Sequence, residues 1–213
     1  MKIGVFGTGD VGKALGRGFI TLGHEVMMGS RDAANEKAVA WAREMGSQAS
    51  TGTFADAASF GEIIALATLG VANESALQSA GPEKLRGKIV IDATNPLDFS
   101  SGRPKLAALA DASGGEQVQR LLPGAHVVKA FNTVGNAFMF RPEFPGGPPS
   151  MFICGNDEGA KQKVATILQD FGWETVDIGG IEGCHYLEAM CMVWVDYGLR
   201  SKTWDHAFKL LRK

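Results

Sequence analysis

Apolar residues in this chain fall in short, nearly unbroken runs, separated by longer stretches in which they recur every three or four positions. The runs are residues 2–6, 24–28, 62–68, 88–94, 126–131, 151–154 and 174–178, with a weaker one near 48–51. Strands that read this way, without polar alternation, are buried on both faces, as in a parallel sheet. Helical periodicity fills 13–20 (closing at Gly23), 33–45, 73–80 and 158–171. This alternation predicts an α/β fold, a doubly wound, mostly parallel sheet of seven or eight strands with ligands at the C-terminal strand ends. Residues 144–149 read Phe-Pro-Gly-Gly-Pro-Pro and predict a loop. From Gly183 the chain turns helical, and 185–195 is apolar on most faces, so that helix must be covered.

The first apolar run feeds Gly7-Thr8-Gly9-Asp10-Val11-Gly12, which opens the first helical stretch. In that setting Gly7 permits a tight turn, Gly9 lets backbone approach a pyrophosphate, and Gly12 lets the helix pack closely on the strand. The helix N-terminus adds free N–H groups and a positive dipole end. The pattern predicts a Rossmann-type dinucleotide site, over 1–182, with a C-terminal helical segment over 183–213 packed on the domain or on a dimer partner. A carboxylate inside the turn would repel phosphates, so Asp10 is expected to point away.

The second strand ends in Gly29-Ser30-Arg31 rather than in an acidic residue. A serine hydroxyl and a guanidinium suit a 2′-phosphate, with Lys37 as a second cation, so the expected dinucleotide is NADP(H). Asp32 follows the strand end and is expected to N-cap the next helix.

Charge narrows the partners. With 21 Lys and Arg against 23 Asp and Glu in 213 residues, no basic field exists for nucleic acid or an anionic membrane. The partner expected is a small-molecule redox acceptor. No run is long enough to span a bilayer, and the first strand, starting at residue 2, leaves no room for a leader. Cys154, Cys184 and Cys191 are few and odd in number, suggest no disulfide framework, and fit a reducing cytoplasm.

Taken together, Gly7 to Gly12, Gly29-Ser30-Arg31, Asp92-Ala93-Thr94-Asn95-Pro96, Lys129-Ala130-Phe131-Asn132-Thr133 and Tyr186-Leu187-Glu188-Ala189-Met190 resemble the NADP oxidoreductase family dependent on the deazaflavin coenzyme F-420. The cytoplasmic domain of the STEAP metalloreductases is similar. The resemblance covers essentially the whole chain. It implies a usually dimeric protein that carries hydride between NADPH and a flavin-like ring. By position, Thr8, Ser30 and Arg31 would hold the 2′-phosphate side, and Asn95, Pro96, Ala130, Phe131 and Asn132 would lie along the nicotinamide. Where members commonly show a Pro-Trp pair, this chain has Leu69-Gly70-Val71 after Thr68, which alters the cleft wall.

Ring-to-ring hydride transfer needs little acid–base help, so no catalytic side chain is assigned. Asn95 and Asn132 follow strand ends, and two readings stand for each: a hydrogen bond to a ligand, or ordinary turn formation. Thr133 and Val134 are expected to line an acceptor cavity, and Phe138, Met139 and Phe140 to pack. Cys184, His185, Glu188 and Cys191 share part of a helix, but with apolar surroundings and no second ligand pair they read as packing, and no metal is assigned. His24 and His126 start strands and are expected at the surface. The function expected is NADPH-dependent hydride transfer to a deazaflavin or flavin; the alternatives are flavin-mediated ferric reduction and a non-catalytic NADP(H)-sensing or partner-binding module.

Overall fold

Strands and helices alternate through the first half of the chain: β1 (Lys2–Phe6), α1 (Asp10–Thr21), β2 (Glu25–Ser30), α2 (Glu36–Met45), β3 (Ala49–Thr53), α3 (Phe54–Phe60), β4 (Ile63–Leu66), α4 (Asn73–Ala80) and β5 (Ile89–Asp92). There follow a small hairpin, β6 (Leu97–Asp98) and β7 (Lys105–Leu106), then α5 (Gly114–Leu121), β8 (His126–Lys129), β9 (Ser150–Gly155), α6 (Glu158–Asp170), β10 (Glu174–Asp177) and α7 (Cys184–Ser201). The computed structural model describes residues 1–213.

The main sheet has eight strands in the order β10-β9-β8-β5-β4-β1-β2-β3. Every pairing is parallel except that of β8 with β9. The expectation of a mostly parallel, doubly wound α/β sheet holds. Alternate residues of each strand feed opposite faces. Ile3 and Val5 join Leu15, Phe19, Trp41, Val164 and Leu168 under α1, α2 and α6, whereas Phe6, Ile64 and Leu66 join Phe54, Leu77 and Val118 under α3, α4 and α5. Each fully buried large side chain contributes about 1.5–3 kcal/mol.

Four helices are started by side chains. Asn35 accepts from the amides of Lys37 and Ala38, Thr53 forms a reciprocal capping box with Asp56, and Ser113 and Asp157 cap α5 and α6. The second helix begins at Glu36, not at Ala33. Asp32 therefore does not cap it: its carboxylate accepts from the Ala34 amide in a turn three residues earlier. The periodicity of the sequence did not reveal α3, α5 or the hairpin. α3 is barely two turns long, and α5 opens on two glycines whose amides are held by a residue far along the chain.

The antiparallel step sets the rest of the architecture. Residues 130–149 contain no crossover helix, only a 3-10 turn at Asn136–Phe138, so the chain doubles back instead of crossing over. β9 and its parallel neighbour β10 both finish on the side where β8 begins, where His126 lies 3.4 Å from Asp157. The helix that follows, α7, then runs back toward the ligand side.

Candidate functional site

The strand ends assemble the first part of the site. Gly7 has φ +121°, and a Cβ there would lie 2.4 Å from the Ala67 carbonyl oxygen; a Cβ on Gly12 would lie 2.2 Å from the Gly7 oxygen. Gly9, by contrast, faces open space, with nothing within 4 Å of a Cβ. It is also the N-cap of α1 and offers no side-chain partner to the first-turn amides, unlike the residues that cap α2, α3, α5 and α6. An uncapped helix start beside an open glycine face is what a pyrophosphate requires. Thr8 is half-buried beside it, and Asp10 is exposed.

Ser30 and Arg31 stand at the end of β2, next to this turn. Ser30 is buried, and its hydroxyl donates to the Asp32 carbonyl at 2.5 Å; Arg31 and Lys37 are exposed, Lys37 on the first turn of α2. At the end of β4, Thr68 donates to Asn73 Oδ1 at 2.6 Å, and Leu69 is 71% exposed at the cleft rim.

The ends of β5 and β8 are locked together. Asn95 Nδ2 donates to the Asn132 carbonyl at 2.8 Å, and Asn132 Nδ2 donates to Asn95 Oδ1 at 3.0 Å and to the Leu187 carbonyl of α7 at 2.9 Å. Two acceptors fix the orientation of the Asn132 amide, and its Oδ1 is left buried with no partner. Phe131, just before it, has φ +64°, a left-handed backbone that costs a phenylalanine about 1–3 kcal/mol. Its amide donates to Met151 Sδ at 3.2 Å.

Beneath these loops lies a buried charge network. Lys129 Nζ is 2.8 Å from Asp92 Oδ2, 2.9 Å from Glu188 Oε1 and 2.8 Å from the Thr94 carbonyl, with all three charged side chains nearly or wholly inaccessible. Glu188 also accepts the Gly114 and Gly115 amides, both at 3.0 Å, and Asp92 Oδ1 accepts from Thr94. Burial alone would pull the Lys129 ammonium down, and the Asp92 and Glu188 carboxylates together hold it above the usual lysine range. The surplus negative charge faces the α5 N-terminus, where the helix dipole favours it.

Between the segments that follow β5 and β8 and the later part of α7 is a cavity of about 590 Å³, within the range of small-molecule sites. Val11, Asn95, Phe131 and Asn132 line its inner end; Phe138 and Met139 form one wall, and Cys191, Trp194 and Val195 of α7 with Trp204 and Asp205 form the other. Among the residues expected along the nicotinamide, Pro96 and Ala130 are buried away from this slot, Pro96 toward the start of α5. Val134 lines the slot as expected, whereas Thr133 is buried beside Met151 and does not. Phe140 packs on Phe171 with ring centroids 5.1 Å apart, while Phe138 and Met139 serve both packing and the slot.

The α7 residues weighed for metal binding have separate engagements. Cys184 Sγ sits 3.3 Å from Cys154 Sγ, His185 contacts the Glu182 carbonyl, Glu188 belongs to the Lys129 network, and Cys191 faces the slot. Burial pushes the Cys191 thiol up to about 12, so it lines the slot as a neutral group.

Cys191 was weighed from the sequence only as a metal ligand, and the slot-lining Trp194, Val195 and Trp204 were not singled out. The available signal was the pair Trp194 and Trp204, whose rings lie 5.1 Å apart. Lys202, with φ +59°, turns the chain so that Trp204 lies over Gly198.

Comparison with known proteins places this geometry. A family profile described as NADP oxidoreductase, coenzyme F-420-dependent, matches residues 2–96. A solved structure from Arthrobacter sp. FB24, provisionally named an F-420-dependent NADP reductase, is 39% identical with a TM-score of 0.93, each chain covered in full. The chain belongs to the coenzyme F-420-dependent NADP oxidoreductase family. It is an NADP-dependent oxidoreductase of that family. The F-420-dependent NADP reductase of Methanothermobacter marburgensis is 29% identical over 95% of this chain and 94% of that protein. The metalloreductase STEAP3 of Rattus norvegicus is 29% identical over 89% of this chain but only 36% of its own length. No helix here is long and apolar enough to cross a membrane.

Proposed function

We propose that the protein transfers hydride between NADP(H) and a deazaflavin or flavin-type ring seated in the slot. The observation that carries this reading is the slot itself: a roomy, mostly apolar cavity bordered by Val11 at the start of α1 and by Asn95 and Asn132 after the ends of β5 and β8. A module that only sensed the dinucleotide would need no such space. When bound, the dinucleotide supplies the hydride at its nicotinamide, and the chain's residues supply binding, alignment and dryness. The uncapped α1 start holds the pyrophosphate, and Arg31 with Lys37 holds the 2′-phosphate; the Ser30 hydroxyl joins them only by releasing the Asp32 carbonyl to which it donates. Thr8, Thr68 and Leu69 border the cleft, and the Asn95–Asn132 lock with the strained Phe131 forms the floor against which the rings meet.

The test follows loss of NADPH absorbance against a panel of deazaflavin, FMN, FAD, ferric chelate and quinone. Oxidation of NADPH by a flavin-like ring supports the reading. Turnover only when ferric iron and flavin are supplied together would favour ferric reduction, as would befit the STEAP3 likeness, and no turnover at all would sink it.

The protein is further proposed to be a homodimer of the reducing cytoplasm. Tyr186, Val193 and Tyr197 are each more than half exposed at i, i+7 and i+11 of α7, a stripe that a second copy would cover. Sedimentation equilibrium decides it: a monomer at micromolar concentration refutes the proposal.

A further inference from the structure

Three asparagines line the slot, and their amides are committed differently. Asn136 is exposed on its 3-10 turn. Asn132 is buried and spends both of its N–H bonds on the protein, one on Asn95 Oδ1 and one on the Leu187 carbonyl, so it keeps no donor for a ligand. Asn95 is half-buried; it donates one N–H to the Asn132 carbonyl at 2.8 Å, and its Oδ1 accepts from Asn132 Nδ2 at 3.0 Å. Turning this amide over would set oxygen against the Asn132 carbonyl and nitrogen against nitrogen, so its orientation is fixed. The second N–H of Asn95 has no acceptor in the protein. Its backbone is held as firmly: the Asn95 carbonyl accepts from the Leu97 amide at 2.9 Å, and a Cβ on Gly70 would lie 2.2 Å from that oxygen. A donor fixed in this way needs no reorganisation when negative charge develops beside it.

We propose that Asn95 is a catalytic residue whose free N–H hydrogen-bonds a pyrimidine carbonyl oxygen of the acceptor ring and stabilises the charge that gathers there as hydride arrives, and that Asn132 is its positioning residue. The inference rests on the slot being the acceptor site. In the transfer the nicotinamide C4–H bond breaks, the hydrogen and its electron pair form the new bond at C5 of a deazaflavin or N5 of a flavin, NADP⁺ is left, and one proton from water completes the two-electron reduction. Until that proton arrives the added charge is shared with the ring's carbonyl oxygens. Asn95 therefore makes a stronger hydrogen bond in the transition state than to the oxidised ring, and that difference lowers the barrier. Asn132 acts only through Asn95, by holding the amide with its N–H toward the ligand.

The experiment is steady-state NADPH oxidation with coenzyme F-420 and with FMN as acceptors, repeated with NADPH deuterated at C4 to isolate the hydride step. Asn95→Ala is expected to lower kcat about ten- to a hundredfold, raise the deuterium isotope effect and leave NADPH affinity nearly unchanged. Should that variant not fold, Asn95→Leu, of similar shape without the amide, is read the same way. Asn132→Ala keeps the carbonyl that Asn95 donates to but withdraws the donor to Asn95 Oδ1, and should lose a smaller part of kcat. The double variant should be no slower than Asn95→Ala alone, because one residue acts through the other. Losses that add overturn the role given to Asn132. Wild-type kcat in Asn95→Ala, or a loss of NADPH affinity in place of kcat, overturns the role given to Asn95 and leaves hydride transfer in the slot standing. No oxidation of NADPH by either ring in the wild-type protein overturns both.

Discussion

Lys129 Nζ and Glu188 Oε1 meet at 2.9 Å in the interior, joining β8 of the sheet to α7, which contributes Cys191, Trp194 and Val195 to the slot. The pair is part of a network with two carboxylates and one ammonium, balanced by the amides that open α5. Removing one member strands the others. Lys129→Met leaves Asp92 and Glu188 as unpaired buried carboxylates and should cost about 3–5 kcal/mol. Glu188→Gln keeps an acceptor and leaves a neutral Lys129–Asp92 pair, so it should cost clearly less. Urea unfolding of the two variants gives the order, and equal losses would contradict it.

Gly12 and Gly9 separate folding from binding. A Cβ at Gly12 would press on the Gly7 carbonyl at 2.2 Å, so Gly12→Ala should lower both stability and NADPH affinity. A Cβ at Gly9 meets nothing in the protein, so Gly9→Ala should unfold like wild type yet bind NADPH at least tenfold more weakly, because the methyl occupies the pyrophosphate's path. Thermal melts with and without NADPH distinguish the two variants.

Arg31 is exposed at the end of β2, free to meet a 2′-phosphate. Arg31→Ala should weaken NADPH by about tenfold or more, as loss of a charge-assisted contact does, and leave NADH nearly unchanged. Calorimetric titration with both nucleotides measures this, and equal losses would refute the assignment.

Stability should fall on the alkaline side. The Cys191 thiol is pushed by burial to about 12, above its unfolded value of 9.0, so the folded state keeps a proton that the unfolded chain gives up. Its contribution is full below pH 9.0 and declines from there toward about 12. Lys129, held above its unfolded value of 10.5, adds a loss beginning only above that pH. Cys184, raised from the same 9.0 by its contact with Cys154 and by burial, adds its own loss over that range, so Cys191→Ala should make the decline between pH 9.0 and 10.5 shallower without abolishing it, as read from denaturant midpoints. A decline of the same slope in the variant would exclude Cys191 as its source.

What the sequence by itself determined is local. Unbroken Val- and Ile-rich runs specify buried strands, because both faces of a parallel sheet are covered; glycines at 7 and 12 specify a turn that no side chain could enter; and Ser30 with Arg31 in place of an acid carries the expectation of NADP(H). Where a helix starts was legible only when its cap was read correctly, and Asn35 rather than Asp32 proved to be that cap. The tertiary structure decided whatever depends on residues distant in the chain. The antiparallel turn of β9 sends α7 back along the sheet, Glu188 then finds the amides of an α5 that has little helical tendency of its own, and Asn132 reaches Leu187. The slot exists because those contacts hold Cys191, Trp194 and Val195 opposite Phe131 and Phe138. Each of these contacts joins segments dozens of residues apart, and no periodicity along one segment encodes where another will lie against it.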